Sequence, residues 1–273
     1  MGKETRIAWT DHTFNPWIGC TKVGPGCDHC YAETMDARKR WDGGKTHWGA
    51  GVTRYRTSES NWRQPLAWNR AAERDGVRRR VFCASLADVF DNEVPPIWRE
   101  NLWRLIEATP HLEWLIVTKR IGNVKGWMLL HGWLSNARLI ITVCNQEEAD
   151  RDIPKLLALP CKNGISYEPG LGAIDFQPWL PVGAGDTWKP CREIDWIIIG
   201  GESGPKARPF NIEWAHSTIA QCKAAGVPCF VKQLGRRPTG SGRPWCDKHG
   251  FENGAGANPS EWPEDLRVRE FPE

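Results

Sequence analysis

Short apolar runs alternate along the chain with longer stretches in which apolar residues recur at helical spacing. Near-continuous apolar or β-branched runs are typical of strands that are buried on both faces of a sheet. The pattern predicts seven strands, at Ile7–Trp9, Val81–Ser85, Trp114–Thr118, Leu139–Val143, Gly164–Tyr167, Trp196–Ile199 and Pro228–Lys232.

Three of the intervening stretches carry clear helix signals. Ile97–Ala108 follows two prolines, which suit the first turn of a helix. Gln146–Leu159 opens with acidic residues, whose charge suits a helix N-terminus. Ile212–Ala225 ends before Gly226, a residue that suits a helix C-cap. We therefore predict a helix over each of these stretches.

Strands that alternate with helices predict an α/β fold, because such strands run parallel and are joined by right-handed crossovers. Two architectures are compatible with the alternation: a closed or partly open barrel, and an open doubly wound sheet. From Arg236 onward the alternation gives way to glycine, proline and charged residues. We therefore predict an α/β domain over residues 1–235 and an irregular C-terminal extension over residues 236–273.

Nearly every predicted strand is followed by polar or ionisable residues. These strand ends are Ser85–Asp88, Thr118–Arg120, Cys144–Asn145, Tyr167–Pro169, Gly200–Ser203 and Lys232–Gln233. In both architectures, functional groups gather at the carboxyl ends of the strands. A purely structural sheet does not need such residues at each end, so we predict that this edge carries the function.

The composition narrows the class of protein. The chain has 273 residues, of which 40 % are hydrophobic and 25 % are charged, a mixture typical of globular proteins. No apolar run reaches the roughly 18 residues that span a membrane, and the first residues lack the apolar core of a signal peptide. We therefore expect a cytoplasmic protein with no membrane partner. In that compartment, ten cysteines indicate metal binding or redox chemistry rather than a disulfide framework.

Basic residues are concentrated in one segment. Residues 36–80 hold twelve basic and five acidic side chains. Such a lobe can bind a phosphate backbone, and a solvated helical face is the alternative interpretation. If the lobe binds phosphate, we expect the contacts from residues near the cysteines described next: Arg38, Lys39, Arg54 and Arg56. Arg78–Arg80 precede a predicted strand and are expected to face away from the functional edge.

The strongest local signal is a group of three cysteines, Cys20, Cys27 and Cys30, in the spacing C-x6-C-x2-C. The intervening residues form turns readily, so the backbone can direct several side chains inward. Thiolates bind soft metals and iron–sulfur clusters. Three ligands leave one position open, either for a substrate or cofactor on a four-iron cluster or for a fourth zinc ligand such as His12 or His29.

The residues around these cysteines resemble the cluster loop of radical S-adenosylmethionine enzymes. Asn15–Cys20 (NPWIGC) and Gly26–Glu33 (GCDHCYAE) are most similar to the branch that contains spore photoproduct lyase-like proteins. Further motifs resemble, in order, a phage-associated three-cysteine family of unknown function: Ser85–Phe90, Val117–Arg120, Ser166–Pro169, Gly200–Gly204 with Arg208–Pro209, and Val231–Gln233. Two features differ from the broad superfamily, because the first cysteine spacing is wider and His29 replaces an aromatic residue.

The resemblance implies a partial (β/α)6–7 TIM-like barrel with parallel strands over residues 1–235. It also implies a [4Fe–4S] cluster on Cys20, Cys27 and Cys30, and S-adenosylmethionine on the open iron. One electron from a donor then cleaves S-adenosylmethionine and releases a 5′-deoxyadenosyl radical, while the protein binds and orients the reactants.

The resemblance and the strand ends together nominate further site residues. Ser85 and Asp88 take the place where the superfamily contacts the methionine amine, although Asp88 alternatively caps a turn. Gly200, Gly201 and Glu202 are expected to contact cofactor or substrate, because paired glycines permit close approach and a carboxylate accepts hydrogen bonds. The remaining candidates are Asn145 for the cofactor and Cys144, Lys119 and Glu168 for catalysis.

These observations predict a radical-S-adenosylmethionine-type iron–sulfur enzyme that acts on DNA, RNA or a nucleotide-derived substrate. The alternative, from a different class, is a non-enzymatic zinc-stabilised nucleic-acid-binding protein whose cysteines only fix the loop. Cys222, Cys229, Cys246 and His249 are also considered for a second metal site. Buried thiols are the favoured interpretation, because Cys222 falls in a predicted helix and Cys229 in a predicted strand.

Overall fold

The structure is a computed structural model. It describes residues 5, 7–39, 41–181, 193–240, 243–244, 251 and 254–273. Cys246 and His249, which were considered for a second metal site, lie outside the described residues. No helix in the described part of the chain is long and apolar enough to cross a membrane.

Strands and helices alternate through most of the described chain. The strands are β1 (His12–Phe14), β2 (Trp17–Ile18), β3 (Tyr55–Arg56), β4 (Arg79–Cys83), β5 (Leu112–Thr118), β6 (Ala137–Thr142), β7 (Lys162–Tyr167), β8 (Ile197–Gly200), β9 (Phe210–Asn211), β10 (Cys229–Gln233), β11 (Pro238–Gly240) and β12 (Arg243–Pro244). The helices are α1 (Tyr31–Lys39), α2 (Glu59–Trp62), α3 (Gln64–Asp75), α4 (Pro96–Glu107), α5 (Ile121–His131), α6 (Gln146–Leu157) and α7 (Ile212–Ala225).

Seven parallel strands form the main sheet, hydrogen-bonded in the order β1-β4-β5-β6-β7-β8-β10. Within this sheet, the strands therefore neighbour one another in their order along the chain, as is common for parallel strands. The predicted α/β partial barrel is confirmed. The small sheets β2-β3 and β12-β11-β9 lie outside this order.

The apolar runs form strands because both of their faces are buried. All six residues of β6 and all four residues of β8 are buried, which explains why these segments lack alternation. The prediction of a first strand at Ile7–Trp9 is wrong, since these residues lead into a turn and β1 follows at His12–Phe14. Trp9 is nevertheless buried, because its ring packs 4.7 Å from the ring of Phe82.

The three predicted helices are confirmed within two residues at their ends as α4, α6 and α7. Asn145 caps α6 and Asn211 caps α7, each by accepting a backbone hydrogen bond in the first turn. Gly226 ends α7 at φ +68°, where a side chain would be strained.

The described residues fall into two compact units. The first unit contains the residues up to Val23, Cys30–Ile140 and Pro160–Lys162; the second contains Gly24–His29, Ile141–Leu159 and the residues from Asn163 onward. In the core of the first unit, the ring of Phe14 lies edge-on to Trp62 and Trp114, both at 5.6 Å.

In the second unit, the C-terminal residues are bonded to β10. Val231 N donates to Val268 O at 2.8 Å, and Glu270 N donates to Cys229 O at 2.9 Å. These backbone bonds hold the last described residues against the main sheet. The division of the chain at residue 235 stays a prediction.

Candidate functional site

The cysteine loop, defined here as Cys20–Cys30, carries three free and partly exposed thiols. A single 3-10 turn covers Pro25–Cys27, and α1 begins directly after Cys30. Proline in the first turn and glycines on either side of it favour this tight conformation. Donor chemistry of this kind, three thiols without disulfide partners, suits a soft metal or an iron–sulfur cluster.

The loop starts at a backbone position that only glycine tolerates. Gly19 has φ +111°, and a Cβ atom there would lie 2.2 Å from His47 O. Gly19 N donates to Leu86 O at 3.0 Å, and Gly49 N donates to Cys20 O at 2.9 Å. The glycine before Cys20 therefore brings the first cysteine against the segment that follows β4.

Arg120 anchors the first part of the loop. Its Nη1 donates to Cys20 Sγ at 3.4 Å and its Nη2 donates to Thr21 O at 2.5 Å. The guanidinium is 7 % exposed and is held by Asp88 at 3.0 Å and Asp91 at 3.7 Å. Burial, with a smaller contribution from Asp88, raises the pKa of Cys20 to about 12, although Arg120 opposes the shift. The free thiol is therefore protonated at neutral pH.

Asp88 is bonded on both carboxylate oxygens. One oxygen accepts from Phe90 N at 2.9 Å and Thr118 Oγ1 at 2.7 Å, and the other accepts from Lys119 N at 3.0 Å and from Arg120. These contacts favour the turn-capping interpretation of Asp88, which also fixes the end of β5. The side chain of Lys119 is partly exposed beside it. Direct contact of Asp88 or Lys119 with a ligand stays a prediction.

Ser85 is held by residues of the two cysteine motifs. Asn15 Nδ2 donates to Ser85 Oγ at 3.0 Å, and Asn15 Oδ1 accepts from Leu86 N at 2.7 Å. The hydroxyl of Tyr31, the residue after Cys30, donates to Ser85 O at 2.7 Å. Asn15 and Tyr31 therefore fix the backbone after β4. This gives a structural role to two residues of the motifs NPWIGC and GCDHCYAE.

A buried ion pair supports the same part of the first unit. Arg54 Nε donates to Asp91 Oδ2 at 2.8 Å, and Arg54 Nη2 donates to Thr21 Oγ1 at 2.6 Å. The Arg54 side chain has no exposed surface. The prediction that Arg54 contacts phosphate is therefore wrong, because its guanidinium is used inside the protein to hold the loop.

In the second unit, Arg208 anchors the middle of the cysteine loop. Its guanidinium donates to Pro25 O at 2.8 Å and to Asp28 Oδ2 at 3.2 Å, and it also binds Glu202. Glu202 in turn accepts from Arg208 N at 2.7 Å and from His29 Nδ1 at 3.0 Å. Burial alone would raise the pKa of Glu202, but the bonds from Arg208 and His29 outweigh it and lower the pKa.

The paired glycines at the end of β8 are closely packed, and backbone packing requires glycine at Gly201. A Cβ atom on Gly200 would lie 2.5 Å from Glu168 Oε1, and one on Gly201 would lie 2.7 Å from Leu234 O. Glu168 Oε2 accepts from Lys232 Nζ at 3.1 Å, while Oε1 is buried without a hydrogen-bond partner among the described residues. An unpartnered buried oxygen of this kind is costly, so Glu168 is the catalytic candidate whose surroundings are least explained by structure alone.

Cys144 and Asn145 lie at the start of α6, and Glu148 of this helix lies beside Gly24 of the loop. Cys144 is fully buried and its N donates to Glu148 Oε2 at 2.9 Å. Asn145 Oδ1 accepts from Glu148 N at 2.9 Å as the cap of α6. A Cβ atom on Gly24 would lie 2.9 Å from Glu148 Oε1, so glycine there lets the loop approach this carboxylate. Ligand contact by Cys144 or Asn145 stays a prediction.

The two histidines considered for zinc are both engaged elsewhere. His12 lies on β1, is 6 % exposed and stacks on Trp68 at 4.4 Å, and His29 binds Glu202. Cys222 and Cys229 are buried free thiols, as predicted. Among the described residues, no group of three or more His, Cys, Asp or Glu side chains is arranged to hold a metal ion.

Sequence reasoning did not single out Arg120 or Arg208, the two arginines that hold the loop. Both lie within motifs that carried the resemblance, Val117–Arg120 and Arg208–Pro209. In the sequence, each arginine is only a basic residue at the end of a motif that is otherwise mainly apolar or rich in glycine. That signal does not reveal which loop the arginine binds, because the contact spans about 100 residues for Arg120 and 180 for Arg208.

Comparison with solved structures gives two matches to spore photoproduct lyase, both at 16 % identity and a TM-score of 0.40. One, a double mutant with bound AdoMet and dinucleoside spore photoproduct, is covered over 46 % of its length and covers 59 % of this chain. The other, a single mutant, is covered over 50 % and covers 62 % of this chain. The chain thus spans about half the length of these structures, and the likeness is too low to support an argument.

No curated protein matches the chain. A family profile described as "Protein of unknown function (DUF5131)" matches residues 4–258, which is most of the chain. The chain therefore belongs to the DUF5131 family.

Proposed function

We propose that this chain is an iron–sulfur enzyme of the radical S-adenosylmethionine type, with Cys20, Cys27 and Cys30 as the ligands of a [4Fe–4S] cluster. The observation that carries the proposal is the cysteine loop itself. It offers three free, partly exposed thiols within eleven residues, and a guanidinium group binds each part of it, Arg120 at Cys20 and Arg208 at Pro25 and Asp28. The resemblance of the flanking motifs supports the same assignment.

The other site residues have graded roles in this proposal. Ser85, Asn145, Gly200 and Gly201 are the candidates for contact with S-adenosylmethionine. Asp88 and Glu202 act mainly as positioning residues, because their oxygens already accept hydrogen bonds from loop-holding groups. When bound, the cluster and S-adenosylmethionine supply one-electron cleavage of a carbon–sulfur bond, which no protein side chain provides. An external electron donor is required.

Glu168 is the preferred candidate for the reacting group of the protein. Its carboxylate pairs with Lys232 through one oxygen and leaves the other unpartnered. In this arrangement it can accept a hydrogen bond or hold a proton at Oε1 once a ligand reaches it. Lys119 and Cys144 remain weaker candidates. For the substrate we propose a nucleic acid or a nucleotide-derived molecule.

Anaerobic reconstitution with iron and sulfide tests the proposal. We expect a brown protein with about four irons per chain, and 5′-deoxyadenosine after addition of S-adenosylmethionine and a reductant. Cys20→Ala, Cys27→Ala and Cys30→Ala should each lose the iron, whereas Cys222→Ala, a matched change at a buried thiol, should retain it. A colourless protein with one tightly bound zinc would instead favour the zinc-stabilised binding protein.

Equal iron content in all four variants would contradict the ligand assignment. A loaded cluster without 5′-deoxyadenosine would contradict the radical chemistry while leaving the cluster in place. The two parts of the proposal can therefore fail separately.

A further inference from the structure

Helix α3 presents one apolar face to the protein and one arginine-rich face to solvent. Trp68 and Ala72 are buried on the inner side. Arg63, Arg70 and Arg74 lie within about 40° of one another around the helix axis, at 100° per residue. All three are exposed. Arg78 is also exposed and follows just after the helix has ended at Gly76.

Most other basic side chains of this lobe are already engaged. Arg54 is buried against Asp91, and Arg56 pairs with Glu59 while lying 4.3 Å over the ring of Trp62. Arg79 pairs with Asp75 at the start of β4. Of the residues expected to bind phosphate, only Arg38 is exposed without an ion pair in the described chain, and the side chain of Lys39 lies outside it.

Three exposed arginines on α3 or next to its ends differ from these because the described structure gives them no ion pair: Arg63, Arg70 and Arg78. Arg74, between them, shares Asp75 with Arg79 and is still 74 % exposed. The acidic neighbour Glu73 is engaged by His111 at 3.6 Å. The face therefore carries cations that pair with no acidic group in the described part of the chain.

We propose that this row, the α3 arginine stripe of Arg63, Arg70 and Arg78, binds the phosphate backbone of a nucleic acid. At 1.5 Å of rise per residue, Arg63 and Arg70 are about 10 Å apart along the helix, a length that matches roughly three phosphates of one strand at 3.4 Å each. Arginine suits this role because its planar guanidinium binds phosphate through two parallel hydrogen bonds.

The stripe also has a direction relative to the cysteine loop. Arg63 follows Asn61 and Trp62, which are buried, and Asn61 Nδ2 donates to Asn15 O at 3.0 Å. Asn15 lies five residues before Cys20 and holds Ser85. The Arg63 end is therefore the end nearer the candidate site, and Arg78 is the far end. A polymer that reaches the site along the stripe meets Arg63 last.

This inference depends on the proposed function only for the class of substrate, and its test needs no cluster. The purified full-length chain is titrated into a fluorescent 20-nucleotide single strand and into the matching duplex at several salt concentrations, with anisotropy as the readout. The variant carries Arg63→Gln, Arg70→Gln and Arg78→Gln. If all three contact phosphate, the slope of log K against log salt becomes shallower by about 2.7 on duplex or about 2.1 on single strand.

A matched control removes the same charge from the same unit. Arg104, Lys125 and Lys162 are exposed and have no ion pair in the described structure, and their replacement by Gln should leave the slope unchanged. All six side chains are exposed, so we expect both variants to fold. Thermal unfolding of the two variants checks this.

Three results would overturn the inference. The first is that the wild-type chain shows no salt-dependent binding of nucleic acid, and the second is that the salt slope falls equally in the stripe variant and the control. The third is that the chain binds polyglutamate or anionic phosphatidylserine vesicles as strongly as nucleic acid and that the stripe variant abolishes this binding. The last result would assign the stripe to an acidic protein or a membrane surface. None of them affects the iron content of the reconstituted protein, so failure here is distinguishable from failure of the proposed function.

Discussion

The two arginines that hold the cysteine loop work in different surroundings. Arg120, in the first unit, is 7 % exposed and faces two carboxylates, Asp88 and Asp91, that are 7 % and 2 % exposed. Arg208, in the second unit, is 27 % exposed, and its partners Asp28 and Glu202 are 55 % and 8 % exposed. Water therefore screens Arg208 and Asp28 more than Arg120 and its partners, whereas Glu202 is about as buried as Asp88.

This difference in burial predicts how far the effect of each arginine extends in the fold. Removing a buried partner leaves uncompensated charge behind, which is strongly destabilising. Removing a partly exposed side chain such as Arg208 lets water replace part of its interactions. Arg120 is therefore expected to matter for folding of the whole first unit, and Arg208 mainly for the local conformation of the loop.

The largest expected effect is that of Arg120→Met. It leaves the carboxylates of Asp88 and Asp91 buried without this cation, so we expect a loss of about 3–5 kcal/mol in the free energy of unfolding. Urea unfolding at pH 7 measures it. Adding Asp88→Asn to the variant should recover part of the loss, because the unpaired charge is removed. A loss no larger than that of Arg208→Met would show that the two anchors are equivalent.

Gly19→Ala should cost nearly as much, at roughly 2–4 kcal/mol, because a Cβ atom at φ +111° would collide with His47 O. The matched control is Gly51→Ala. Gly51 has φ +70° and nothing within 4 Å of its Cβ position, so it should lose only about 1–2 kcal/mol. Equal losses in urea unfolding would mean that the contact with His47 relaxes at little cost.

The comparison of the two anchors also shows what the sequence can and cannot reveal. The strands and the α/β class were predictable because they rest on local periodicity, and the three long helices were predictable from their caps. The first strand was misplaced because Ile7–Trp9 is apolar without forming a strand; the ring of Trp9 packs against Phe82 instead. The loop was found from its cysteine spacing.

The anchors themselves could not be predicted from sequence. Arg54 was expected to contact phosphate and Arg120 was part of a polar strand end, and both are buried in the structure. Glu202 looks like a ligand-binding carboxylate, but it accepts bonds from Arg208 and His29. Long-range pairing of charges leaves no periodic trace in the chain, so only the three-dimensional contacts reveal it.

Arg208→Met should lower the free energy of unfolding by about 1–2 kcal/mol at pH 7, less than Arg120→Met because of solvent screening. The loss should depend on pH. The pKa of Glu202 is lowered in the folded protein, so its bonds stabilise the fold above the unfolded pKa of about 4.3 and are lost as the pH falls through the folded value. The gap between wild type and variant should therefore narrow as the pH falls below the unfolded pKa and close once it passes the lowered pKa of Glu202. A gap that does not narrow on acidification would contradict the assignment to Glu202.

Tyr31→Phe tests the third attachment of the loop and has the smallest expected effect. Tyr31 follows Cys30, is 47 % exposed and donates one hydrogen bond to Ser85 O. Water can replace this bond, so the loss of stability should be only about 0.5–1 kcal/mol. The local effect should be larger: Cys30 should be alkylated faster by iodoacetamide, while Cys20, which Arg120 holds, should react at the wild-type rate. Tyr55→Phe, in the same unit, is the control, because the described structure gives the Tyr55 hydroxyl no hydrogen bond. If the alkylation rates of Cys20 and Cys30 rise together, the attachments are coupled. The loop then opens as a whole, and its two ends do not open independently.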